Sequence, residues 1–309
     1  MSTTPKVIAI ACGDLHLQHK PPRCRECEPD WYAAMARPLG EIRELARKYS
    51  TSTHNVLVIC AGDIFDRWNS PPELINWAIL HVQSILAIPG QHDLPEHNYE
   101  DRHRSAYETL VRAGHAVNLP PSFCVTYPGL LLTGFPWGFD VEGSSVPSGR
   151  GVVSIAVAHE YNWIAGTEYP GAEKTQRITT KRKNLLDFDV VIFGDNHKGF
   201  HTRIGNTEIF NCGTMMRRKI DEIDYKPQVG LIYSDGTVVP HFLDISQDKI
   251  EVPEISEIDP EVALNAKDFL DELSSLEQNP LDFRLAVERY VKTGNVSKKV
   301  EAALLEAMG

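Results

Sequence analysis

The chain has 309 residues, of which 42% are hydrophobic and 24% are charged. This composition predicts a globular protein with one large core and a small additional unit. No run of about 18 apolar residues occurs and the first residues lack the layout of a signal peptide, so we expect a cytoplasmic protein without a membrane-spanning helix. The formal net charge of −11 argues mildly against a basic face for nucleic acid.

In chain order, apolar runs first alternate with helical patterns. Helices are predicted where apolar residues recur at helical spacing, where prolines start a segment and where a glycine ends one. These segments are residues 30–49, 71–84 and 99–114. Val- and Ile-rich runs typical of strands buried on both faces lie at 7–16, 56–66, 85–93, 154–160 and 190–197. The alternation predicts right-handed crossovers and an α/β core.

Later in the chain, strands are joined by short turns, and Ser-Asp-Gly at 234–236 predicts a hairpin turn. We expect these strands to form a second sheet, mixed or antiparallel, that packs on the first. They lie at 123–129, 129–137, 207–214 and 228–245. The turn-rich stretch at 142–151 predicts a surface loop. Residues 251–309 are polar with short helical patterns and are predicted to form a helical appendage to a domain of residues 1–250.

The six cysteines fit a reduced setting, because no export signal accompanies them. Cys12, Cys60 and Cys212 lie in or beside apolar runs and are predicted to be buried. Cys24 and Cys27 form a lone Cys-x-x-Cys pair. A structural zinc site needs four ligands and no second pair is evident, so incidental loop cysteines are the favoured interpretation and a zinc or redox role is the alternative.

Polar side chains follow five of the apolar runs, at the point where each predicted strand ends. In open α/β sheets ligands bind beyond the carboxyl ends of the strands, so we expect these side chains to converge. Asp-x-His occurs twice there, and alternating residues of an extended segment point the same way. One such pair carries little information, whereas five converging strand ends predict a metal site. The candidates are Asp14, His16, Asp63, Gln91, His92, Asp93, His159, Asp195 and His197.

The order of these motifs resembles that of the calcineurin-like metallophosphoesterases, whose pattern is GDxH, GD, GNH[DE], a histidine and GHxH. This chain has GDLH at 13–16, GDIFDR at 62–67, GQHD at 90–93, His159 and GDNH at 194–197. The resemblance covers roughly residues 5–245 and implies a four-layer α/β/β/α sandwich. Within the family, GDIFDR and the stretch around GQHD are similar to SbcD-type DNA repair nucleases and related phage recombination exonucleases.

The resemblance also implies a role for each candidate. One divalent ion would be held by Asp14, His16, Asp63 and His197, and the other by Asp63, Gln91, His159 and Asp195. Two such ions activate a water and neutralise charge on the phosphate oxygens. His92 would stabilise the transition state or protonate the leaving oxygen, and Asp93 would orient His92.

Two candidates depart from the family pattern, and both fall on the second ion. Gln91 stands where the family has Asn, and Asp195 stands where it has His. An oxygen donor in place of nitrogen favours Mn²⁺, or else Mg²⁺, over Zn²⁺. A weak or empty second site is the alternative.

These observations predict a Mn²⁺-dependent nuclease, exonuclease or endonuclease, that cleaves DNA in repair or recombination. Two alternatives stay open: a phosphatase or cyclic-nucleotide phosphodiesterase, and a nuclease-like subunit whose helical tail docks an SbcC-like ATPase. A homodimer is also left open. Basic stretches at 102–104, 177–184 and 217–219 are candidates for phosphate-backbone contacts. Asp66 and Arg67 either touch phosphate or form a local salt bridge.

Overall fold

A computed structural model describes residues 4–82, 84–141, 152–179 and 183–251. The surface loop predicted at 142–151 lies outside these residues, and so does the predicted appendage apart from Glu251. Both stay predictions. Among the described helices, none combines the length and the apolar character that crossing a membrane requires.

The described ranges contain three α-helices and twelve strands in an order that begins as strand, helix, strand, helix, strand. The helices are α1 (Trp31–Tyr49), α2 (Pro72–His81) and α3 (Ala106–Arg112). The strands are β1 (Val7–Cys12), β2 (Leu57–Cys60), β3 (Ile85–Ala87), β4 (Ala116–Asn118), β5 (Cys124–Tyr127), β6 (Leu130–Phe135), β7 (Val153–His159), β8 (Val190–Gly194), β9 (Phe200–Ile204), β10 (Thr207–Asn211), β11 (Gln228–Tyr233) and β12 (Val238–Phe242).

The first sheet has the strand order β12-β11-β1-β2-β3-β4. Strands β1 to β4 run parallel, and β11 pairs antiparallel with both β1 and β12. The expectation that the hairpin within 228–245 belongs to the second sheet is therefore wrong. The reason is burial: β11 is covered on both faces and takes an interior position, where Gly230 leaves room for the Phe210 ring. The turn itself is confirmed, because Tyr233 N–H donates to Thr237 C=O at 2.9 Å.

The second sheet has the strand order β5-β6-β7-β8-β10-β9. The four central strands are parallel and the two edge strands pair antiparallel, so the sheet is mixed. The five apolar runs that precede the candidate ligands are thus divided between two sheets. Three of them supply β1, β2 and β3, and the other two supply β7 and β8.

The two sheets pack face to face through small and branched side chains. Ala9, Ala11 and Ile59 of the first sheet form one buried cluster with Ile155 and Ile192 of the second. Alternate residues of the same strands point to the opposite faces, as the two-residue period of a strand requires. Both faces of each sheet are therefore apolar, which explains the continuous apolar runs in the sequence.

Each sheet carries a further layer on its outer face. The outer face of the first sheet is covered by α1, α2 and α3, which bury Met35, Leu74 and Tyr107 against it. In the described residues, the outer face of the second sheet is covered by Leu185 and Phe188, which lie in and beside a short 3₁₀ turn. The predicted four-layer α/β sandwich is confirmed, with irregular segments in the fourth layer.

The helix boundaries follow local capping. The Asp30 carboxylate accepts a hydrogen bond from Ala33 N–H at 3.0 Å and starts α1. The helix expected over 99–114 is broken at Ser105, whose backbone is extended and whose hydroxyl accepts from Glu108 N–H. The residues before it form a 3₁₀ turn, Tyr99–Arg104. A strong N-cap residue thus starts a new helix inside the pattern that predicted a single one.

A buried cluster of five charged residues fastens the chain after β12 to the start of α1. Glu28 Oε1 lies 2.5 Å from Arg25 Nη2 and 2.8 Å from Arg37 Nη2. Asp248 contacts the same two guanidiniums, each at 3.0 Å, and also Arg217 at 3.0 Å. Arg25 is fully buried, and a buried charge is tolerated only when it is paired and hydrogen-bonded.

Glu28→Gln is expected to lower the free energy of unfolding by about 3 kcal/mol at neutral pH, because two guanidiniums lose their shared carboxylate. Burial alone would raise the pKa of Glu28, but the hydrogen bonds from Lys249 N–H, Arg25 and Arg37 hold this pKa below its usual value. The stabilisation is therefore complete above the ordinary pKa of glutamate and is lost as pH falls through the lowered value. Urea unfolding measured from pH 7 to pH 3.5 should show that the difference in the free energy of unfolding between wild type and variant shrinks as pH falls.

Glu44→Gln is the matched control, because Glu44 pairs with Arg47 at 2.7 Å on the exposed side of α1. An exposed pair of this kind contributes about 0.5 kcal/mol or less. Equal losses in the two variants would contradict the role of the buried cluster.

Candidate metal centre

The candidate residues meet where the carboxyl ends of the two sheets come together. Asp14, His16, Asp63, Asp93 and His159 are buried. The other four candidates are half-buried: Gln91, His92, Asp195 and His197. The structure therefore brings all nine candidates to one place, although they follow strands of two different sheets.

The first group of donor atoms contains Asp14, His16 and His197, which lie within 4.8 Å of one another. His16 Nε2 lies 3.0 Å from His197 Nε2 and 3.9 Å from Asp14 Oδ1. The same His16 nitrogen is 3.7 Å from Asp63 Oδ2. These are the four residues that the resemblance implies for one ion.

A second group contains Asp14, Asp63 and His159, also within 4.8 Å of one another. His159 Nε2 lies 3.3 Å from the same Asp63 Oδ2 that faces His16. Gln91 Nε2 donates to Asp195 Oδ1 at 2.8 Å, so the two departures from the family pattern contact each other. Asp195 N–H donates to the Asp14 carboxylate, at 3.1 and 3.2 Å to its two oxygens. Asp14 is thus closer to the second group than its assignment to one ion implies.

Several of these donor atoms are buried without a hydrogen-bond partner among the described residues. They are Asp63 Oδ2, Gln91 Oε1 and His159 Nε2. Unsatisfied buried polar atoms are rare in folded proteins and call for an explanation such as an ion. Carboxylate, amide and imidazole donors around a common point are a ligand set for divalent cations. The residues present therefore fit a metal centre.

His16 and His197 are held in the neutral form that binds metal, whereas the pKa of His159 is raised, because the lowering effect of burial is outweighed by the Asp63 charge. His159 Nδ1–H donates to Ala61 C=O at 2.5 Å, which leaves Nε2 toward Asp63. Burial, followed by the Arg218 charge, lowers the pKa of His16 to about 4. Burial, followed by the His16 charge, lowers the pKa of His197 to about 2. Both imidazoles are neutral at physiological pH, as a metal ligand must be.

The carboxylates crowd one another in the same space. Burial raises the pKa of Asp14, and the charges of Asp63 and Asp195 raise it further against the opposing effect of His159. Burial also raises the pKa of Asp195. For Asp63 the effect of burial is outweighed by His159, which holds the pKa of that carboxyl well below its usual range. A divalent cation would relieve this repulsion, because the neutral imidazoles of His16 and His197 supply no positive charge.

His92 and Asp93 make contacts other than those expected. His92 Nδ1–H donates to the backbone carbonyl of Asp66 at 2.9 Å, and this bond orients the ring. The Asp93 carboxylate accepts from the N–H groups of Ile64, Phe65 and Gly90 at 2.9 to 3.1 Å. The expectation that Asp93 orients His92 is therefore corrected: Asp93 closes the tight turn that carries Gln91 and His92.

Asp93 is fully enclosed, and His92 lies close to the metal ligands. Burial, followed by the Asp63 charge, raises the pKa of Asp93 to about 7, against the lowering effect of its three N–H donors. A ring nitrogen of His92 lies within 4.8 Å of donor atoms of His16 and Asp63. The geometry alone thus admits His92 as a ligand as well as a proton donor.

Four candidate ligands lie on left-handed backbone. The φ angles are +47° at Asp14, +42° at His16, +52° at Asp63 and +85° at Asp195. Such angles are uncommon for residues other than glycine and cluster at functional sites, where the surrounding structure enforces them. The argument that Asp-x-His alternates on an extended segment is therefore wrong for both pairs. The side chains reach the centre through tight left-handed turns.

Three neighbouring residues support the histidines: Asp66, Arg218 and Glu222. Arg218 was expected to contact a phosphate backbone instead, and Glu222 was not among the candidates. Asp66 Oδ1 lies 3.6 Å from His16 Nδ1 and pairs with Arg218 at 2.7 Å. Glu222 Oε1 lies 4.0 Å from His197 Nδ1. The salt bridge left open for Asp66 exists, but its partner is 152 residues away. No local motif signals such a contact.

The arginines of the basic stretches are largely occupied by internal contacts. Arg102 lies over the Tyr99 ring, Arg104 over Trp68 and Arg177 over Trp163. Arg217 belongs to the buried charge cluster. These contacts weaken the interpretation of these stretches as a path for the phosphate backbone.

A comparison with protein families matches residues 9–199 to the model described as calcineurin-like phosphoesterase. The chain belongs to this family. The matched region covers more than half of the chain and includes every candidate ligand. Members of the family typically use two divalent metals, so the protein is a metal-dependent phosphoester hydrolase. No curated protein matches the chain by sequence.

Solved structures with a similar fold include an archaeal phosphodiesterase, 12% identical, with a TM-score of 0.40 over 76% of this chain and 99% of that one. A 5′-nucleotidase from Candida albicans is 12% identical, with a TM-score of 0.46 over 89% of this chain and 60% of its own. The sulfate thiohydrolase SoxB from Thermus thermophilus is 12% identical, with a TM-score of 0.44 over 88% and 62%.

Gly90→Ala is expected to disrupt the centre, because a Cβ at this position would overlap the Asp63 carboxylate and His159 Nε2. Either both ligands move or the protein is strained by about 1–3 kcal/mol. Metal content after dialysis and urea unfolding should both fall. Gly40→Ala is the control, because a Cβ there meets only Arg43 at 3.9 Å, inside α1. Unchanged metal content and stability in Gly90→Ala would contradict the proposed packing.

Proposed function

We propose that the protein is a two-metal phosphodiester hydrolase that acts on DNA, with Mn²⁺ as its working ion. The observation that carries the chemistry is the position of Asp63. Its Oδ2 lies between the two groups of donors, 3.7 Å from His16 Nε2 and 3.3 Å from His159 Nε2. A single carboxylate so placed can serve both ions of a pair. Two divalent ions, when bound, supply Lewis-acid activation of the water nucleophile and neutralise charge on the phosphate.

The chain's own residues supply the geometry and one proton. Asp14, His16, Asp63 and His197 are proposed to hold one ion, and Asp63, Gln91, His159 and Asp195 the other. The Asp66 carbonyl accepts the hydrogen bond from His92 Nδ1–H, so Nε2 is the nitrogen free to face the leaving oxygen. His92 is half-buried, and in its imidazolium form it can donate the Nε2 proton there or stabilise developing charge.

Oxygen donors support the choice of Mn²⁺. The second group offers carboxylate oxygens and the buried Gln91 amide oxygen beside one imidazole, His159. Oxygen-rich sets suit Mn²⁺ and Mg²⁺ better than Zn²⁺, which favours nitrogen and sulfur.

DNA as substrate is supported by the resemblance of residues 62–67 and 89–98 to SbcD-type nucleases. The exposure of the metal centre to solvent also supports DNA as the substrate. Gln91, His92, Asp195 and His197 line the solvent side of the centre and are all half-buried. A phosphate within a polymer can therefore approach without being enclosed.

A phosphatase or cyclic-nucleotide phosphodiesterase is the second candidate, and two observations favour it. The net charge is −11, and several arginines of the basic stretches are engaged within the protein. A small substrate needs no extended basic path. Docking of an SbcC-like ATPase on residues 251–309, and a homodimer, stay proposals without a described surface.

A competition experiment tests the substrate. With Mn²⁺ added, the wild-type protein should cleave plasmid and oligonucleotide DNA, and DNA should inhibit hydrolysis of bis-p-nitrophenyl phosphate. Asp63→Asn should lower both activities by at least about 10³-fold, because both ions lose a shared anion. Efficient turnover of small phosphate esters with no cleavage or inhibition by DNA would favour the second candidate.

His92→Ala should retain both ions yet lose turnover by about 10²–10⁴-fold, the range for removal of a general acid. Metal content measured by elemental analysis separates this role from ligation. His115→Ala is a control, because His115 Nδ1 bonds Val82 C=O away from the centre. A drop in metal content in the His92 variant would make His92 a ligand and overturn the proposed role.

A further inference from the structure

A polar cavity of about 500 Å³ opens beside the metal centre. It shares Asp66 with the centre, since Asp66 Oδ1 lies 3.6 Å from His16 Nδ1. The remainder of its wall includes Gln18, Lys20, Arg67 and Ser70. A space of this size holds a nucleotide-sized group.

Two cations line this cavity, and neither side chain has a partner among the described residues. The side chains of Lys20 and Arg67 are exposed, and neither makes an ion pair or hydrogen bond with any described residue. They differ in this from Arg102, Arg104 and Arg177, which lie over aromatic rings. Unpaired cations in a concave wall attract an anion more strongly than the same charges on a convex surface.

A buried hydrogen-bond donor also lines the cavity. Gln18 Nε2 is buried and has no hydrogen-bond partner among the described residues.

The acidic groups nearby do not cancel these charges. Asp66 is paired with Arg218 at 2.7 Å. Glu73 lies 3.8 Å from His19 with its side chain 70% exposed, so water screens it.

We propose that this cavity binds a second phosphate of the substrate, that of a nucleotide next to the one being cleaved. The inference rests on the proposed function and deepens it, because it makes a strand with several phosphates the preferred substrate. A substrate with one phosphate fills only the metal centre. Lys20 and Arg67 gain an interaction only when the substrate continues past that phosphate.

The test uses the full-length, Mn²⁺-loaded protein and a fluorescent single-stranded decanucleotide with phosphorothioate linkages, which resist hydrolysis. The double variant Lys20→Ala/Arg67→Ala should weaken binding, measured by anisotropy, at least about tenfold at low salt. The difference should shrink as salt is added. The double variant should also lose kcat/KM. The loss measured with unmodified DNA should exceed the loss measured with bis-p-nitrophenyl phosphate by about fivefold or more.

Lys6→Ala/Lys48→Ala is the matched control. It removes the same charge from the start of β1 and the end of α1, at the edge of the first sheet opposite the centre. This control should bind the decanucleotide within about twofold of wild type, because its charges lie more than a screening length of about 10 Å from the cavity.

The outcomes separate the two proposals. Equal binding by the two double variants, or no binding by the wild type, would overturn the inference. If the wild type still cleaves DNA in that case, the proposed nuclease function stands without this subsite. If the wild type cleaves only small esters and binds no decanucleotide, both proposals fail.

Discussion

The structure is organised around a buried negative charge that no side chain neutralises fully. Asp63 sits at the point where two sheets meet, with Asp14 and Asp195 close by. Two of the imidazoles beside them, His16 and His197, are neutral because burial lowers their pKa values, and His159 alone can balance part of the charge. Such an arrangement costs free energy in the bare protein, and divalent cations are the chemical group that offsets the cost. Catalysis by a phosphoesterase uses the same cations, so the local instability and the activity have one origin.

That constraint determines the backbone around the centre. Ligands can crowd together only if the backbone beneath them carries no side chain. Gly62 and Gly90 therefore lie against the His159 ring and the Asp63 carboxylate. It also explains the left-handed turns at four ligands, which aim side chains where an extended strand would not. The surrounding contacts keep these turns in place. The Asp93 carboxylate accepts from three backbone N–H groups, and Asp66, which contacts His16 and His92, is paired with Arg218 from outside the family-matched region.

Much of the fold and the identity of the site residues could be predicted, because both depend on local pattern. Continuous Val- and Ile-rich runs indicate doubly buried strands, and polar residues directly after them indicate a site at the strand ends. The placement of β11 beside β1 could not be predicted, since pairing partners distant in the sequence leave no local signal. The same holds for the pairing of Asp66 with Arg218. The role of Asp93 was misjudged because a triad analogy considers side chains, whereas its partners are backbone amides.

The division of the ligands between the two sheets has a consequence for the stability of the protein. Asp14, His16, Asp63 and Gln91 follow strands of one sheet, and His159, Asp195 and His197 follow strands of the other. An ion bound by both sets would link the two sheets, and this link exists only in the native state. Resistance to unfolding then rises with the logarithm of the free ion concentration, as for any ligand specific to the folded form. The supply of divalent cations in the surroundings would thus govern how long the protein stays folded as well as how fast it works.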